Sequence, residues 1–227
     1  MIDFNADLGE GCLHDAELMR LVSSVNIACG AHAGNDDIMQ NTLREAKILG
    51  LRVGAHPGYF DREHFGRKEM SITSAELLQT VESQLELLEN MAQEIGTKIV
   101  YVKPHGAMYH QCNREPALAH ALVLAANRFQ MSVMSMPGFC IEEVCRQTGT
   151  GFLKEGFADR KYRSDGTLMP RSEPGAMVHD AVQAVKQIRW LCENTGVDSI
   201  CVHGDEPEAV SFVRELKRLL SQPSMPE

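Results

Sequence analysis

The chain has 227 residues, of which 44% are hydrophobic and 23% charged, so it is long enough for one domain with a substantial core. A formal net charge of −9 argues against a nucleic-acid backbone or an anionic membrane as the main partner. No apolar run approaches the roughly 20 residues that span a bilayer, and MIDFNADLGEG lacks the features of a signal peptide. Seven cysteines without a CxxC pair are typical of reduced thiols. These features predict a cytoplasmic protein.

Short β-rich runs recur along the chain and predict seven strands. In chain order they are residues 2–7, 24–30, 52–56, 99–105, 131–135, 151–157 and 199–204. Segments with a helical spacing of apolar residues lie between most of them, at 36–49, 74–95, 115–129, 176–194 and 206–220. Thr73 and Glu76 form a predicted capping box at the start of the second of these helices.

Strand alternating with helix predicts a parallel α/β architecture in one domain over residues 1–227, with residues 221–227 as a frayed tail. An open doubly wound sheet and a closed barrel both satisfy this pattern. The sequence lacks GxGxxG after the first strand and lacks GxxxxGK[ST] altogether. The usual fingerprints of dinucleotide binding and of a P-loop are therefore missing.

Polar side chains lie at or just beyond the carboxyl ends of most predicted strands. They are Asn5, Asp7, Glu10, Asn26, His32, His56, Lys103, His105, Glu155, Asp159, His203 and Asp205. In α/β barrels the active site is built at that face, from strand ends and the loops that follow them. Four strand-end histidines together with several acids therefore indicate an enzyme.

The first two strand ends offer groups that bind metal ions or activate water. Asn5 and Asp7 lie on the same face of the first strand, and Glu10 follows in the next turn. These side chains suit a metal ion or a positioned water, but Asp7 could equally cap a turn while Glu10 is solvated. His32, in a glycine-lined loop, suits a metal ligand or a general base. Cys29 in the same loop is more typical of a buried thiol than of a nucleophile.

Two long polar loops, at 54–70 and 155–172, carry charged side chains. Their arginines of interest are Arg62, Arg67, Arg160 and Arg171. Arg67 suits a bidentate clamp on a carboxylate or phosphate, although solvated loops with surface ion pairs would look the same. The second loop suits a lid over a substrate or a plain surface loop.

Lys103 ends an apolar strand just before a Pro-His-Gly turn, where it could neutralise negative charge that develops on an oxygen. Lysines at surface strand ends are nevertheless common. After the last strand, Asp205 could orient the imidazole of His203 or cap the following helix.

Six motifs, read in order over about residues 3–215, resemble one family. They are NADLGEG, NIACGAHAGND, GAHPGYFDREHFGRK, VKPHGAMY, EGFADRKY with a downstream MPR, and VHGD. The sequence resembles the LamB/YcsF family, the A subunit of bacterial ATP-dependent 5-oxoprolinase. The resemblance implies an irregular seven-stranded (β/α) barrel, similar to that of polysaccharide deacetylases. It implies ring opening of 5-oxo-L-proline to L-glutamate coupled to ATP hydrolysis, with partner subunits B and C.

Together with the residue chemistry, the resemblance suggests roles for these side chains. The expected catalytic residues are Asp7, His32, His56, Lys103, His105 and His203. The expected substrate or phosphate ligands are Asn5, Glu10, Asn26, Arg62, Arg67, Glu155, Asp159, Arg160, Arg171 and Asp205. Asp7, His32 and His56 are expected to hold a divalent ion or to activate the attacking water. Without a P-loop, the ATP site would use other loops of this chain or a partner subunit.

Two other functions fit the same residues. A metal-dependent amide hydrolase, such as an N-deacetylase, would need neither ATP nor partners, but the HxxxH pair typical of that fold is absent from the sequence. A non-catalytic lactam-binding subunit would tolerate replacement of Asp7 and His32. So many ionisable groups would be a costly way to build a simple binder, and this function ranks last.

Overall fold

Strands and helices alternate along the chain. The computed structural model describes residues 2–204 and 208–222. The strands are β1 (Asp3–Leu8), β2 (Ser24–Ala28), β3 (Arg52–His56), β4 (Ile99–Val102), β5 (Ser132–Ser135), β6 (Phe152–Phe157) and β7 (Ser199–Cys201). The helices are α1 (Asp15–Met19), α2 (Asp36–Leu49), α3 (Ser74–Ile95), α4 (Gly106–Arg114), α5 (Pro116–Arg128), α6 (Cys140–Thr148), α7 (Ala181–Asn194) and α8 (Ala209–Leu220). Within the described ranges, no helix is long and apolar enough to cross a membrane.

The seven strands form a closed parallel barrel. Each strand pairs with the next in chain order, and β7 pairs with β1, so that Asp3 lies opposite Ser199 and Asn5 opposite Cys201. This closure confirms the seven-stranded (β/α) barrel that the resemblance implies and excludes an open doubly wound sheet. Since every strand is parallel, the carboxyl ends of all seven meet at one end of the barrel.

Local sequence signals explain where several helices begin. The Thr73–Glu76 capping box is present at the start of α3, as predicted. The predicted helix over 176–194 begins only at Ala181, because the Asp180 side chain accepts a hydrogen bond from the Gln183 backbone N–H at 2.8 Å and caps it there. The proposed cap at Asp205 lies outside the described residues.

The predicted strand over 99–105 is shorter in the structure and ends at Val102. Pro104 has no N–H with which to continue a strand ladder. Even so, the Lys103 N–H donates to the Ala55 carbonyl at 2.9 Å, which keeps the chain beside β3. Lys103 therefore leaves the barrel end in a fixed position.

A buried polar network closes the amino-terminal end of the barrel. The Ser24 hydroxyl donates to Asp3 Oδ1 at 2.8 Å, and Arg52 Nη2 lies 3.2 Å from Asp3 Oδ2. The Ser199 hydroxyl also donates to Asp3, and Asn5 Nδ2 donates to the Ser199 Oγ at 2.8 Å. These contacts tie β7, β1, β2 and β3 together at the end opposite the strand carboxyl termini.

The middle of the barrel is filled by Tyr101, whose ring lies against Gly54 of the neighbouring strand. A Cβ atom at Gly54 would lie 2.1 Å from that ring. The Tyr101 hydroxyl donates to Asn26 Oδ1 at 2.6 Å, and Asn26 Nδ2 donates to Asp7 Oδ1 at 2.8 Å and to Asn5 Oδ1 at 2.7 Å. Packing in the barrel interior thus sets the position of a carboxylate at its open end.

Candidate active site

A cavity of about 450 Å³ opens at the carboxyl-terminal end of the barrel, a size that suits a small-molecule ligand. Its floor includes side chains from the strand ends and the loops after them, namely Asp7, Glu10, His56, Lys103, His105, Phe157 and His203. Its walls carry the arginines Arg67, Arg114, Arg160, Arg163 and Arg171. The cavity therefore joins a floor of carboxylates and imidazoles to a wall of guanidinium groups.

Lys103 lies between two carboxylates at this floor and is only 2% exposed. Its Nζ is 2.8 Å from Asp7 Oδ1 and 2.7 Å from Glu155 Oε1. Burial alone would lower the pKa of Lys103, but the Asp7 and Glu155 carboxylates outweigh burial and raise it well above its ordinary value. Burial raises the pKa of Glu155 in spite of the facing ammonium. The ammonium is a fixed charge that links β1, β4 and β6.

Asp7 presents an ionised carboxylate to the cavity. Burial would raise its pKa, but the neighbouring His56 and Lys103 outweigh that effect and hold the pKa well below the ordinary value. One carboxylate oxygen accepts from Lys103, and the other lies 3.4 Å from His56 Nε2. Asp7 can therefore accept a proton by way of this imidazole or hold the ring in position.

Four side chains beside Asp7 form what we call the histidine cluster: Glu10, His32, His56 and His105. His32 Nε2 is 3.1 Å from Glu10 Oε1, and His105 Nδ1 is 2.9 Å from His56 Nε2 and 3.4 Å from Glu10 Oε1. The rings of His32 and His105 stack with centroids 3.8 Å apart. Burial lowers the pKa of His56 to about 4 and that of His105 well below its ordinary value. Both imidazoles are therefore neutral at neutral pH.

A second histidine–carboxylate pair lies across the cavity floor. His203 Nδ1 is 2.9 Å from both oxygens of Asp159, and its backbone N–H donates to the same carboxylate at 2.8 Å. Burial would raise the pKa of Asp159, but the contacts with His203 outweigh it and lower the pKa. An oriented imidazole of this kind is suited to proton transfer, with Nε2 left to face a ligand.

The arginine wall is partly buried. Arg160 is 5% exposed and donates from Nη2 to the Met169 carbonyl at 2.6 Å. Burial and the nearby Arg171 lower the pKa of Arg160 to about 10, which leaves it charged at neutral pH. The guanidinium of Arg67 lies 5.1 Å from the centre of the Phe65 ring. Positioned guanidinium groups suit a carboxylate or a phosphate.

Two groups in the described part of the chain bring potential metal ligands within 4.8 Å of one another. The first is the histidine cluster, and the second consists of Asp7, Cys201 and His203. The predicted set of Asp7, His32 and His56 is thus divided between them. Imidazole and carboxylate donors of this kind suit zinc and related divalent ions.

This geometry can be compared with known proteins. The sequence profile of the LamB/YcsF family matches residues 2–226. The chain belongs to the LamB/YcsF family. It is 42% identical, over 97% of this chain and 96% of the relative, to a protein of Erwinia tasmaniensis named as the A subunit of 5-oxoprolinase. A protein of the same name from Neisseria meningitidis serogroup C is 40% identical, over 96% of this chain and 95% of the relative.

Solved structures share the barrel of this LamB/YcsF protein. The crystal structure of the lactam utilization protein from Thermus thermophilus is 34% identical in sequence, with a TM-score of 0.86 over 96% of both chains. A putative cellobiose-phosphate cleavage protein from Enterococcus faecalis V583 gives a TM-score of 0.61 at 10% identity, over 96% of this chain and 93% of the other. The second likeness shows the fold alone.

The LamB/YcsF barrel brings most of the residues singled out in the sequence to the cavity. Those that line it are Asp7, Glu10, His56, Arg67, Lys103, His105, Arg160, Arg171 and His203. Asn5, Asn26, His32, Glu155 and Asp159 instead contact these lining side chains or one another. Arg62 donates from Nη2 to the carbonyls of Gly30 and Gly34 at 2.6 and 2.7 Å, so it fastens the loop after β2. Asp205 lies outside the described residues.

Two further side chains of α4 belong to the site. The Tyr109 hydroxyl donates to Glu155 Oε2 at 3.0 Å and accepts from the Met136 backbone N–H at 2.7 Å, while His110 lines the cavity. The sequence places Tyr109 in the VKPHGAMY motif, but it does not reveal the short helix that turns Tyr109 toward β6. Tyr109 supports the floor by orienting the carboxylate that faces Lys103.

Proposed function

We propose that this chain is the A subunit of a 5-oxoprolinase and that it opens the lactam ring of 5-oxoproline to give glutamate, coupled to ATP hydrolysis. The carrying observation is the cavity itself, in which an ionised carboxylate and neutral imidazoles face an arginine wall. A small anionic lactam has one end that suits each side. The names of the relatives, which refer to 5-oxoprolinase and to lactam utilization, support the same substrate class.

The chemistry of the lactam explains the coupling to ATP. A lactam carbonyl is a poor electrophile, and transfer of the γ-phosphoryl group to its oxygen, with loss of ADP, makes C5 electrophilic. Water then adds to C5, the C5–N bond breaks, and the ring nitrogen takes up a proton. A second water hydrolyses the resulting acyl phosphate to glutamate and phosphate. Water activation and protonation of nitrogen are the steps that need a general base and a general acid.

The cavity offers groups for each of these needs. Asp7 and His56 would take the proton from the attacking water, since they are neighbours and the carboxylate is ionised. His203, oriented by Asp159, would donate the proton to the ring nitrogen. Arg171 would hold the substrate carboxylate and Arg67 the phosphoryl group. The division of ATP binding between this chain and subunits B and C is part of the proposal.

The decisive assay is glutamate formation from 5-oxoproline by this chain, alone and with subunits B and C, with and without ATP. We expect glutamate only in the complete mixture with ATP. In that mixture Asp7→Asn should lower kcat/KM by about 10²–10⁴-fold, the loss expected for a general base. Asp37→Asn, the same chemical change on the exposed first turn of α2, is the matched control. Full activity of Asp7→Asn would contradict the assignment of this site.

The histidine cluster favours one other function, a metal-dependent amide hydrolase that uses no ATP. This alternative predicts turnover by the chain alone when a divalent ion is supplied. Glutamate release without ATP or partners would support it over the ATP-coupled reaction. Release that requires ATP would exclude it.

A further inference from the structure

His56 and His105 face each other through nitrogens that carry no hydrogen in the neutral rings. His56 Nδ1 lies 2.7 Å from the Lys103 carbonyl oxygen, and His105 Nε2 lies 2.8 Å from that of Phe65. A carbonyl oxygen only accepts, so each of these nitrogens carries the N–H of its ring. The two remaining nitrogens are 2.9 Å apart. Two lone pairs at this distance repel each other unless a cation joins them.

We propose that Glu10, His56 and His105 bind one divalent transition-metal ion of the Zn²⁺ class. Glu10 Oε1 lies 3.4 Å from His105 Nδ1, beside the 2.9 Å contact between the two rings. Ligand atoms about 2.0–2.1 Å from a tetrahedral Zn²⁺ are about 3.3 Å from one another. The ligand atoms therefore already stand at separations close to those that the ion requires, and binding removes the repulsion between the lone pairs.

The side chains behind the proposed ligands fix their orientation. His56 and His105 each donate their N–H to a backbone carbonyl, which is the usual outer contact of a metal-binding imidazole. His32 Nε2 holds the Glu10 carboxylate at 3.1 Å, and His32 is not among the described residues that line the cavity. Because the His32 and His105 rings are parallel and stacked, one ion cannot lie in both ring planes. His32 is therefore a positioning residue and not a ligand.

Two glycines keep this cluster compact. A Cβ at Gly58 would lie 2.5 Å from His32 Nδ1, and a Cβ at Gly66 would lie 2.8 Å from His32 Cβ and 3.0 Å from His105 Cδ2. Gly66 also has a φ of +64°, in the left-handed region. Two imidazoles and one carboxylate, all three lining the cavity, match zinc sites with three protein ligands, which are typical of catalysis and not of structure.

The test is metal binding by the full chain without 5-oxoproline, so its outcome is independent of the proposed reaction. The chain is stripped with a chelator, titrated with Co²⁺ and Zn²⁺, and followed by visible absorption, calorimetry and elemental analysis. We expect one ion per chain and Co²⁺ absorption bands of a four- or five-coordinate site. His105→Ala and His56→Ala should weaken binding more than 100-fold. His32→Gln should keep the stoichiometry but weaken binding by about 10–100-fold.

His64→Gln is the matched control, since His64 is an exposed histidine that contacts Asp61 outside the cluster. Its affinity for Co²⁺ should equal that of the wild type. Wild-type protein that binds neither ion would overturn the proposal and would indicate a shared proton between the two rings. Unchanged affinity in a folded His105→Ala variant would also overturn it, because the ion would then lie elsewhere. The wild-type titration decides even if a variant fails to fold.

Discussion

Lys103 combines nearly complete burial with a full positive charge, and its two carboxylate partners make that combination stable. A buried ion pair adds little net stability, whereas removal of one partner leaves the other charge uncompensated. The two acids come from two other strands, β1 and β6, so the lysine acts as a cross-link inside the barrel. Its role is therefore to hold Asp7 in place as well as to provide charge.

Replacement of Lys103 by methionine, which keeps the length of the side chain, should lower the free energy of unfolding by about 3–5 kcal/mol. The loss arises because Asp7 and Glu155 then face each other without a cation. Addition of Glu155→Gln should recover part of it, as urea titration of the double variant would reveal. Lys98→Met, at an exposed position, is the control. A loss below about 1 kcal/mol for Lys103→Met would contradict the cross-link.

Asp15 provides a pH-dependent term in stability. Burial raises its pKa from 3.8 to about 6, and Oδ1 has no hydrogen-bond partner. The unfolded chain therefore releases this proton more easily, and the folded state loses stability as pH rises from about 4 to about 6. Asp15→Asn should raise the free energy of unfolding at pH 8 by about 1 kcal/mol, after allowance for partial exposure. At pH 4 the gain should vanish, and an equal gain at both pH values would contradict this account.

Sequence reasoning located the floor of the site because strand ends are visible in the sequence. Asp7, His56, Lys103 and His203 each follow an apolar run directly, and all line the cavity. Arg62 shows the limit, since its composition suits anion binding but its partners are loop carbonyls. Contacts between distant loops depend on tertiary structure and leave no mark on the local pattern.

At the level of single elements, the contact between β3 and β4 carries packing into the site. Gly54 leaves room for the Tyr101 ring, whose hydroxyl fixes Asn26, and Asn26 in turn fixes Asp7. A change of one methyl group at Gly54 therefore affects a carboxylate on another strand. Close packing of the interior makes such effects difficult to absorb locally.

Gly54→Ala should lower the free energy of unfolding by about 1–3 kcal/mol, because the added methyl group overlaps the Tyr101 ring. It should also lower activity, since the Asn26 contact moves with the ring. A second substitution, Tyr101→Val, removes the overlap, so the double variant should be less destabilised than the sum of the two single variants. Urea titration of this double-mutant cycle measures the coupling. Simple additivity would contradict the proposed overlap.

Long elements were easier to predict than short ones. The helices α2 and α3 lie where their apolar spacing and caps indicate, and the capping box of α3 is present. The helices α1, α4 and α6 have five, nine and nine residues, and none was predicted. Short helices contain too few turns for a periodic pattern, and their stability comes from packing against the barrel.

At the level of the whole molecule, the barrel separates stability from chemistry. Asp3 at the amino-terminal end joins four strands, whereas Asp7, two turns of the pleat along the same strand, faces the cavity. Residues at the amino-terminal end of such barrels support stability, and those at the carboxyl-terminal end support activity. One strand therefore serves both ends.

The same chemical change at both ends should thus give opposite results. Asp3→Asn removes the charge that Arg52, Ser24 and Ser199 share, and should lower the free energy of unfolding by about 2 kcal/mol. Its kcat/KM in the complete enzyme should stay within about twofold of the wild type, in contrast to the large loss expected for Asp7→Asn. Parallel urea titrations and assays check this prediction. Comparable losses of activity in both variants would contradict it.

Closure of the barrel is the part of the fold that periodicity could not predict. An open sheet and a closed barrel have the same alternation of strand and helix, and they differ in whether the last strand reaches the first. That pairing joins Asp3 with Ser199, segments almost the whole chain apart. Only the family resemblance, and not the local pattern, distinguished the two architectures.

The pairing of β1 with β7 has a consequence for biosynthesis. The first strand to leave the ribosome has its final neighbour at residues 199–201, so one edge of β1 stays unpaired until translation is nearly complete. Lys103 and Asp7 are available early, but Glu155 and His203 are added late. A truncated nascent chain therefore exposes a strand edge beside half of a charged site, and such chains should depend on chaperones that shield β-edges.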